Sequence, residues 1–241
     1  MQTIARSLPH ALPKAGLDLS QLSQYVLSDR CASHPFFAYL RENELSTGQI
    51  KTLLRNYDAH AALLRRLLLK AATLMPESAV GFILENVRNE YGNGSFSNCH
   101  QAQLLDLAMQ CGLSTSGFQQ AFQQARITDG VRSFMKKAPQ YYFPRPKQGH
   151  LRAAIAAGAI TTTEVLALEE FKALQCVFVS RGLQNHVWFD HVNVEAEHTA
   201  ESIELALHFA DHSWDAVNIG IDGMLDATYD LYDGLFEAAS S

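Results

Sequence analysis

Apolar residues recurring at three- and four-residue steps constrain this chain most. Ile50, Leu53, Leu54, Tyr57, Ala61, Leu64 and Leu68 follow that rhythm, which lines one face of a long amphipathic helix. The strict alternation of a half-buried strand is almost absent, so the expected class is all-α. Hydroxyls able to cap free amides signal helix starts at Ser46, at Ser114 and in the Thr161 to Thr163 run before Glu164. Stops are expected at Pro76, Gly92 to Gly94 and Gly112. The three prolines between Pro139 and Gly149 forbid a continuous helix there, and this segment reads as a packed loop. Eight helical segments are expected, near 20–30, 34–43, 46–75, 77–91, 97–112, 150–183 (broken), 184–211 and 214–237, in a bundle of about seven helices.

A chain of 241 residues, 47% of them apolar, can bury one sizeable core. One helical domain over 1–241 is therefore expected, with 1–19 as an irregular arm. The formal charge of −6 is spread along the sequence without a basic run, which argues against nucleic acid and anionic membrane surfaces as partners. No stretch approaches the roughly 18 uninterrupted apolar residues of a membrane span. Cys31, Cys99, Cys111 and Cys176 lie far apart with no CxxC pair. That pattern suits a reducing compartment, the cytoplasm by default, and disfavours a thiolate zinc site.

Three segments hold residues that could carry chemistry. In FDHVNVEAEHTAESIE, the residues His191, Glu195 and His198 are spaced four and three apart and share one helical stripe. Two imidazoles and a carboxylate on one face form a metal-ligand set suited to iron, zinc or manganese, although the same spacing also fits a solvated polar stripe. A dimetal site in a bundle needs ligands from facing helices as well. Glu90 and His100, in FILENVRNEYGNGSFSNCH, would fit that need, or else be an exposed helix-end acid and an ordinary first-turn histidine. In LALEEFKAL, Glu169 is embedded in an apolar run, where an unpartnered buried carboxylate would cost several kcal/mol. Glu169 is thus either at the polar boundary of an amphipathic helix or held inside by a partner, and the adjacent Glu170 cannot face the same way, so one of the two is a surface acid.

The stretch SHPFFAYLRENELSTGQIKTLLRNY, then ENVRNEYG, then His100 with QLLDLAMQCGLS, resembles the front half of the haem-oxygenase-like dimetal oxidases. These include iron-containing redox enzymes related to the Chlamydia death-domain-associated protein, and their fold is shared with thiaminase-like and quinone-forming enzymes. The back half of that family carries an inward Glu and then HxxxDxxH. The resemblance covers roughly 20–237 and implies a single-domain haem-oxygenase-like helical bundle. It implies metal ligands at Glu90, His100, Glu169, His191, Glu195 and His198, with Glu164 and Glu170 as alternatives to Glu169 as the acid of the middle helix and with Trp214-Asp215 matching the last helix. Glu195 replaces the family's Asp, Gly92 and Gly94 interrupt the interval between Glu90 and His100, and the interval from Gly182 to His191 is short.

What the resemblance further implies is two Fe(II) ions with O2 as cosubstrate, a homodimer, and oxidative tailoring of a small molecule. Desaturation, C–C cleavage, N-oxidation and nitrile formation all belong to that range. Tyr57, His60, Leu64, Phe82, Phe178, Trp188 and Phe189 are candidate pocket residues whose mix of aromatic bulk and polar atoms suits an amino acid or related carboxylate. Each could equally be an ordinary core residue. Two other classes compete. A metal-free enzyme of the same fold would place the chemistry on Cys99 or Cys111, and a ferritin-like metal-binding protein would fit the single ExxH match at Glu195 to His198.

Overall fold

The computed structural model describes residues 19–113, 126–145 and 149–241, and within these the side chains of Leu19, Leu113 and 191–197 fall outside the description. Ser114 and residues 1–18 of the expected arm also lie outside the described residues. Every regular element described is helical, as the periodicity predicts. The principal helices are α1 (Leu19–Leu27), α2 (Pro35–Glu42), α3 (Thr47–Ala72), α4 (Gly81–Glu90), α5 (His100–Ala108), α6 (Asp129–Lys137), α7 (Pro139–Tyr142), α8 (Leu151–Val177) and α9 (His191–Ser240).

Helix α3 starts where the sequence says it should. Ser46 Oγ accepts from the Gln49 amide at 3.3 Å, and Gln49 Oε1 accepts from the Ser46 amide at 2.9 Å, which closes a capping box. Its apolar stripe, Ile50, Leu53, Leu54, Tyr57 and Leu68, is buried as expected. Asn56 lies on the same helix with no exposed surface and satisfies every polar atom it has. Its Nδ2 donates to the carbonyls of Thr52 (2.9 Å) and Arg126 (3.0 Å), while Oδ1 accepts from the Thr128 amide (2.9 Å) and hydroxyl (3.2 Å). The chain entering α6 is thereby tied to α3. Asn56→Ala strands the Thr128 amide and the Arg126 carbonyl in the interior and is expected to cost about 3 kcal/mol. The check is a lower urea midpoint at unchanged slope; a loss under about 1 kcal/mol would refute this account of the tie.

The middle helix differs from its expected form. Helix α8 runs unbroken for 27 residues, and the Thr161 to Thr163 run lies in its interior, where it caps nothing. Each hydroxyl bonds the carbonyl four residues back: Thr161 to Ala157 at 3.0 Å, Thr162 to Gly158 at 3.0 Å and Thr163 to Ala159 at 3.1 Å. That habit lets threonine sit inside a buried helix without an unpaired hydroxyl. The helix is long and apolar enough by composition to cross a membrane, but 67% of its most apolar window is buried inside the bundle, which accounts for that character.

Two further differences have local causes. The expected helices 184–211 and 214–237 meet within the 50-residue element α9, where a break at Ser213 (φ −146°, ψ 33°) falls in the expected gap, but the first of them begins at His191 rather than 184. The loop expected from Pro139 begins instead as the short helix α7, because proline at the first helical position loses no hydrogen bond.

Helices α8 and α9 form the central pair, with α6 and α3 against α9 and α2 against α8. The central pair touches backbone to backbone. A Cβ at Gly158 would overlap the Val217 carbonyl, and one at Gly220 would overlap the Ile155 carbonyl. Helix α4 packs on both α3 and α9, so its C-terminal end reaches the space between those helices and α8.

Candidate metal centre and substrate cavity

That space is a cavity of about 100 Å³, walled by α3, α8 and α9 and reached by the end of α4 and the start of α5. Glu90 is the last residue of α4 and His100 the first of α5. The chain between them turns back sharply: Gly92 has φ +70° and Asn93 has φ +53°, and a Cβ at Gly92 would overlap the backbone of Asn98 and Cys99. This turn brings the two side chains together, with His100 Nδ1 3.0 Å from Glu90 Oε1. His100 Nε2 lies 2.9 Å from Asn89 Oδ1, which fixes the ring from its other side.

Glu164 faces this pair from α8. It is 9% exposed, and Asn86 on α4 hydrogen-bonds its carboxyl. Burial, reinforced by the negative charges of Glu90 and Glu201, pushes the carboxyl up to about 8 while the Asn86 amide opposes the shift. Tyr142 lines the same wall, its hydroxyl 2.8 Å from Thr163 Oγ1. Burial and the charges of Glu164 and Glu90 raise its phenol well above the ordinary range, so it stays a neutral donor or acceptor. From α9 come Glu201, whose Oε2 is sealed from solvent, and the buried His198, one turn apart.

The sequence-predicted ligands divide accordingly. Glu90 and His100 meet. His198 is buried on α9, and the backbone of His191 and Glu195 is helical there, although the side chains of those two lie outside the described residues. Glu169, the preferred acid of the middle helix, is corrected by the structure. Its side chain is 37% exposed and paired with Arg41 at 3.0 Å and Lys172 at 3.0 Å, outside the cavity. Five residues along a helix rotate a side chain by more than a full turn, so the outward direction of Glu169 and the inward one of Glu164 are compatible on one element. Glu201, which the spacing argument passed over, shares the His198 stripe. Among the described residues no three His, Cys, Asp or Glu side chains form one ion-sized cluster by themselves.

The other end of the cavity is aromatic. Tyr57, His60 and Leu64 line it as expected, whereas Phe178 and Phe189 pack against each other in the core at 5.4 Å between ring centroids and do not face it. Phe82 is half-buried outside the lining. Trp188 is the aromatic residue that the 187–190 turn presents, held by its backbone N–H donating to His186 Nδ1 at 3.1 Å. His186 is fixed in turn by Asp106, with Nε2 3.0 Å from Oδ2. His60 Nδ1 donates to the Asn56 carbonyl at 3.4 Å, and burial, aided by the Arg65 charge, lowers its imidazole to about 4, so it is neutral. Glu170, buried on α8, is hydrogen-bonded by Tyr57 and Tyr232, and burial pushes its carboxyl up to about 7 against those two bonds. Neither Cys99 nor Cys111 lines the cavity, and burial raises the Cys111 thiol further from the thiolate a nucleophile needs. A polar cleft of about 290 Å³, bordered by Asn89, Asn93, Asn98 and Gln103, lies on the far side of His100, which borders both spaces.

No protein-family model and no curated protein matches the sequence. Among solved structures, two crystal structures of a CADD-like protein of unknown function from Nostoc punctiforme superpose with a TM-score of 0.68 at 16% identity. The match covers 92% of this chain and 96% or 94% of those chains. The chain therefore has the CADD-like helical fold.

Proposed function

We propose that this protein is a non-haem di-iron oxidase that uses O2 for oxidative tailoring of a small amino acid or related carboxylate. The observation that carries the reading is Glu90 and His100 held together in the lining of a cavity that the buried Glu164 also lines, with Glu201 close enough to act on Glu164 through its charge and the buried His198 one turn from Glu201 on α9. Glu90 and Glu201 both place negative charge on the buried Glu164, and carboxyls so grouped favour either protons or cations between them. An oxygen and imidazole donor set of this kind suits ferrous iron better than a thiolate-preferring ion. Glu90, His100, Glu164 and His198 would hold the ions, joined by His191 and Glu195 on the spacing of α9. When bound, the ions supply electrons to O2.

The chain's own groups do the rest. Asn89 orients the His100 ring, and Asn86 steadies the Glu164 carboxyl, which holds its proton near neutrality until a cation displaces it. Arg65, buried at 8% exposure and donating to Gln101 Oε1 at 3.0 Å, lines the cavity and offers a cation for a substrate carboxylate. The aromatic walls exclude water from the reacting carbon.

Anaerobic Fe(II) titration followed by O2-consumption measurements tests the assignment. About two irons per chain are expected for wild type and for Glu169→Ala, and weakened uptake for Glu164→Ala and His191→Ala. Absence of specific uptake by wild type, or normal uptake by Glu164→Ala with loss in Glu169→Ala, would overturn it.

A further inference from the structure

The metal-ligand reading leaves one buried carboxylate of the cavity unused. Glu170 is 7% exposed and lines the cavity, and among the described residues no Lys or Arg forms an ion pair with it. Tyr57 and Tyr232 each give it one hydrogen bond. An ammonium ion would hold Glu170 in its ionised form, and an ionised carboxylate has about four acceptor positions, two more than the tyrosines use. Next to it, Tyr57, Phe171 and Trp188 meet edge to face, with centroids 5.3 Å apart for Tyr57 and Trp188, 5.2 Å for Phe171 and Trp188 and 6.3 Å for Tyr57 and Phe171. All three also line the cavity.

A carboxylate with spare acceptor positions beside a corner of ring faces and edges has the chemistry that takes an organic ammonium ion. The carboxylate supplies charge and hydrogen-bond acceptors, the rings supply a polarisable wall that tolerates a cation, and burial strengthens both. An alkyl chain or a carboxylate headgroup would leave Glu170 desolvated without compensation, which is costly. At about 100 Å³ the space is smaller than the roughly 150 Å³ cavity known to admit benzene, so the ligand is a short one.

We propose that Glu170, positioned by Tyr57 and Tyr232 and flanked by Phe171 and Trp188, is the subsite that binds the ammonium group of a short amine-bearing substrate. The proposal rests on the reading of this cavity as the substrate site, and it places a substrate's amine at the Glu170 end and its carboxylate toward Arg65.

Calorimetric titration of the full-length protein, loaded anaerobically with Fe(II), with n-butylammonium and with its neutral counterpart 1-butanol tests it. Wild type is expected to bind the ammonium at least ten-fold more tightly than the alcohol, and Glu170→Gln to lose about ten-fold or more of that affinity while binding the alcohol as before. Equal binding of the two probes by wild type overturns the subsite, as does an unchanged ammonium affinity in a folded Glu170→Gln. The comparison of probes on wild type stands even where the variant is unstable. Iron uptake measured on the same samples separates the two readings: selectivity for the ammonium without iron uptake removes the di-iron assignment and keeps the subsite, and iron uptake without that selectivity does the reverse.

Discussion

Gly158→Ala is expected to lower the melting temperature by about 6–12 °C, although alanine is the better helix former at that position. In an open helix interior the change would stabilise by about 1 kcal/mol. Here the added methyl has nowhere to go, because it would overlap the Val217 carbonyl on α9, and a backbone atom cannot rotate aside as the end of a side chain can. The helices must separate along a contact that the reciprocal approach of Gly220 to the Ile155 carbonyl makes equally tight. Overpacking of this kind costs about 3 kcal/mol, and each kcal/mol moves the midpoint of a chain this size by about 2–4 °C. Separation would also shift Glu164, six residues along α8, relative to His198 and Glu201 on α9, so weaker iron binding should accompany the lost stability. Gly81→Ala is the control, since nothing lies within 4 Å of its Cβ position and the substitution should leave the melting temperature unchanged or slightly raised. Differential scanning calorimetry decides the matter, and a Gly158→Ala protein as stable as wild type would show that the two backbones are not in contact.

That pair of helices also explains where the sequence was legible and where it was not. Helix α3 has one face to water and one to the core, so its apolar phase reads directly from residue spacing, down to the capping box at Ser46. Helix α8 is buried along most of its length on every side, and its apolar residues therefore carry no phase. Without phase, three acids at 164, 169 and 170 could not be sorted into inward and outward ones. A local signal was present nonetheless. Lys172 stands three residues after Glu169, the spacing of a solvated helix pair, whereas Glu164 follows eleven residues of alanine, glycine, isoleucine and threonine that no exposed face would use. The same lack of phase made the threonine run resemble a helix start, because hydroxyls that cap ends and hydroxyls that bond back to the preceding turn look alike in sequence. Glu90 and His100 were readable as residue types, but the left-handed turn that joins them depends on Gly92 and Asn93, and their contact is a product of tertiary structure. The Glu170 subsite was invisible for another reason: its two tyrosines come from α3 and α9, far apart in sequence.

Metal-free protein is expected to lose stability as pH rises from about 6.5 to 8, the reverse of a protein held by paired carboxylates. In the fold, Glu164 keeps its proton up to about 8 from an ordinary value of 4.5, so the unfolded chain binds fewer protons than the folded one between those values. Stability from this group is fully present below pH 4.5 and falls as pH rises through the folded value. Glu170, held up to about 7, acts in the same direction. His60 acts oppositely at the acid end: its folded value of about 4 lies below the ordinary 6.5, so its contribution is complete above pH 6.5 and is lost toward pH 4. The two tendencies offset one another below pH 6.5 and leave the carboxyls alone to act above it. One proton over 1.5 pH units corresponds to about 2 kcal/mol, or a melting temperature about 4–8 °C lower at pH 8 than at pH 6.5 in the presence of chelator. Glu164→Gln, which carries no ionisable proton, should flatten most of that slope and be the more stable protein at pH 8. Anaerobic Fe(II) should invert the wild-type slope, because a cation needs the carboxylate already deprotonated, and should leave Glu164→Gln nearly unmoved. A parallel decline in wild type and Glu164→Gln would mean that Glu164 is ionised in the metal-free fold. The carboxylate cluster would then be neutralised by something other than the proton that iron is expected to replace.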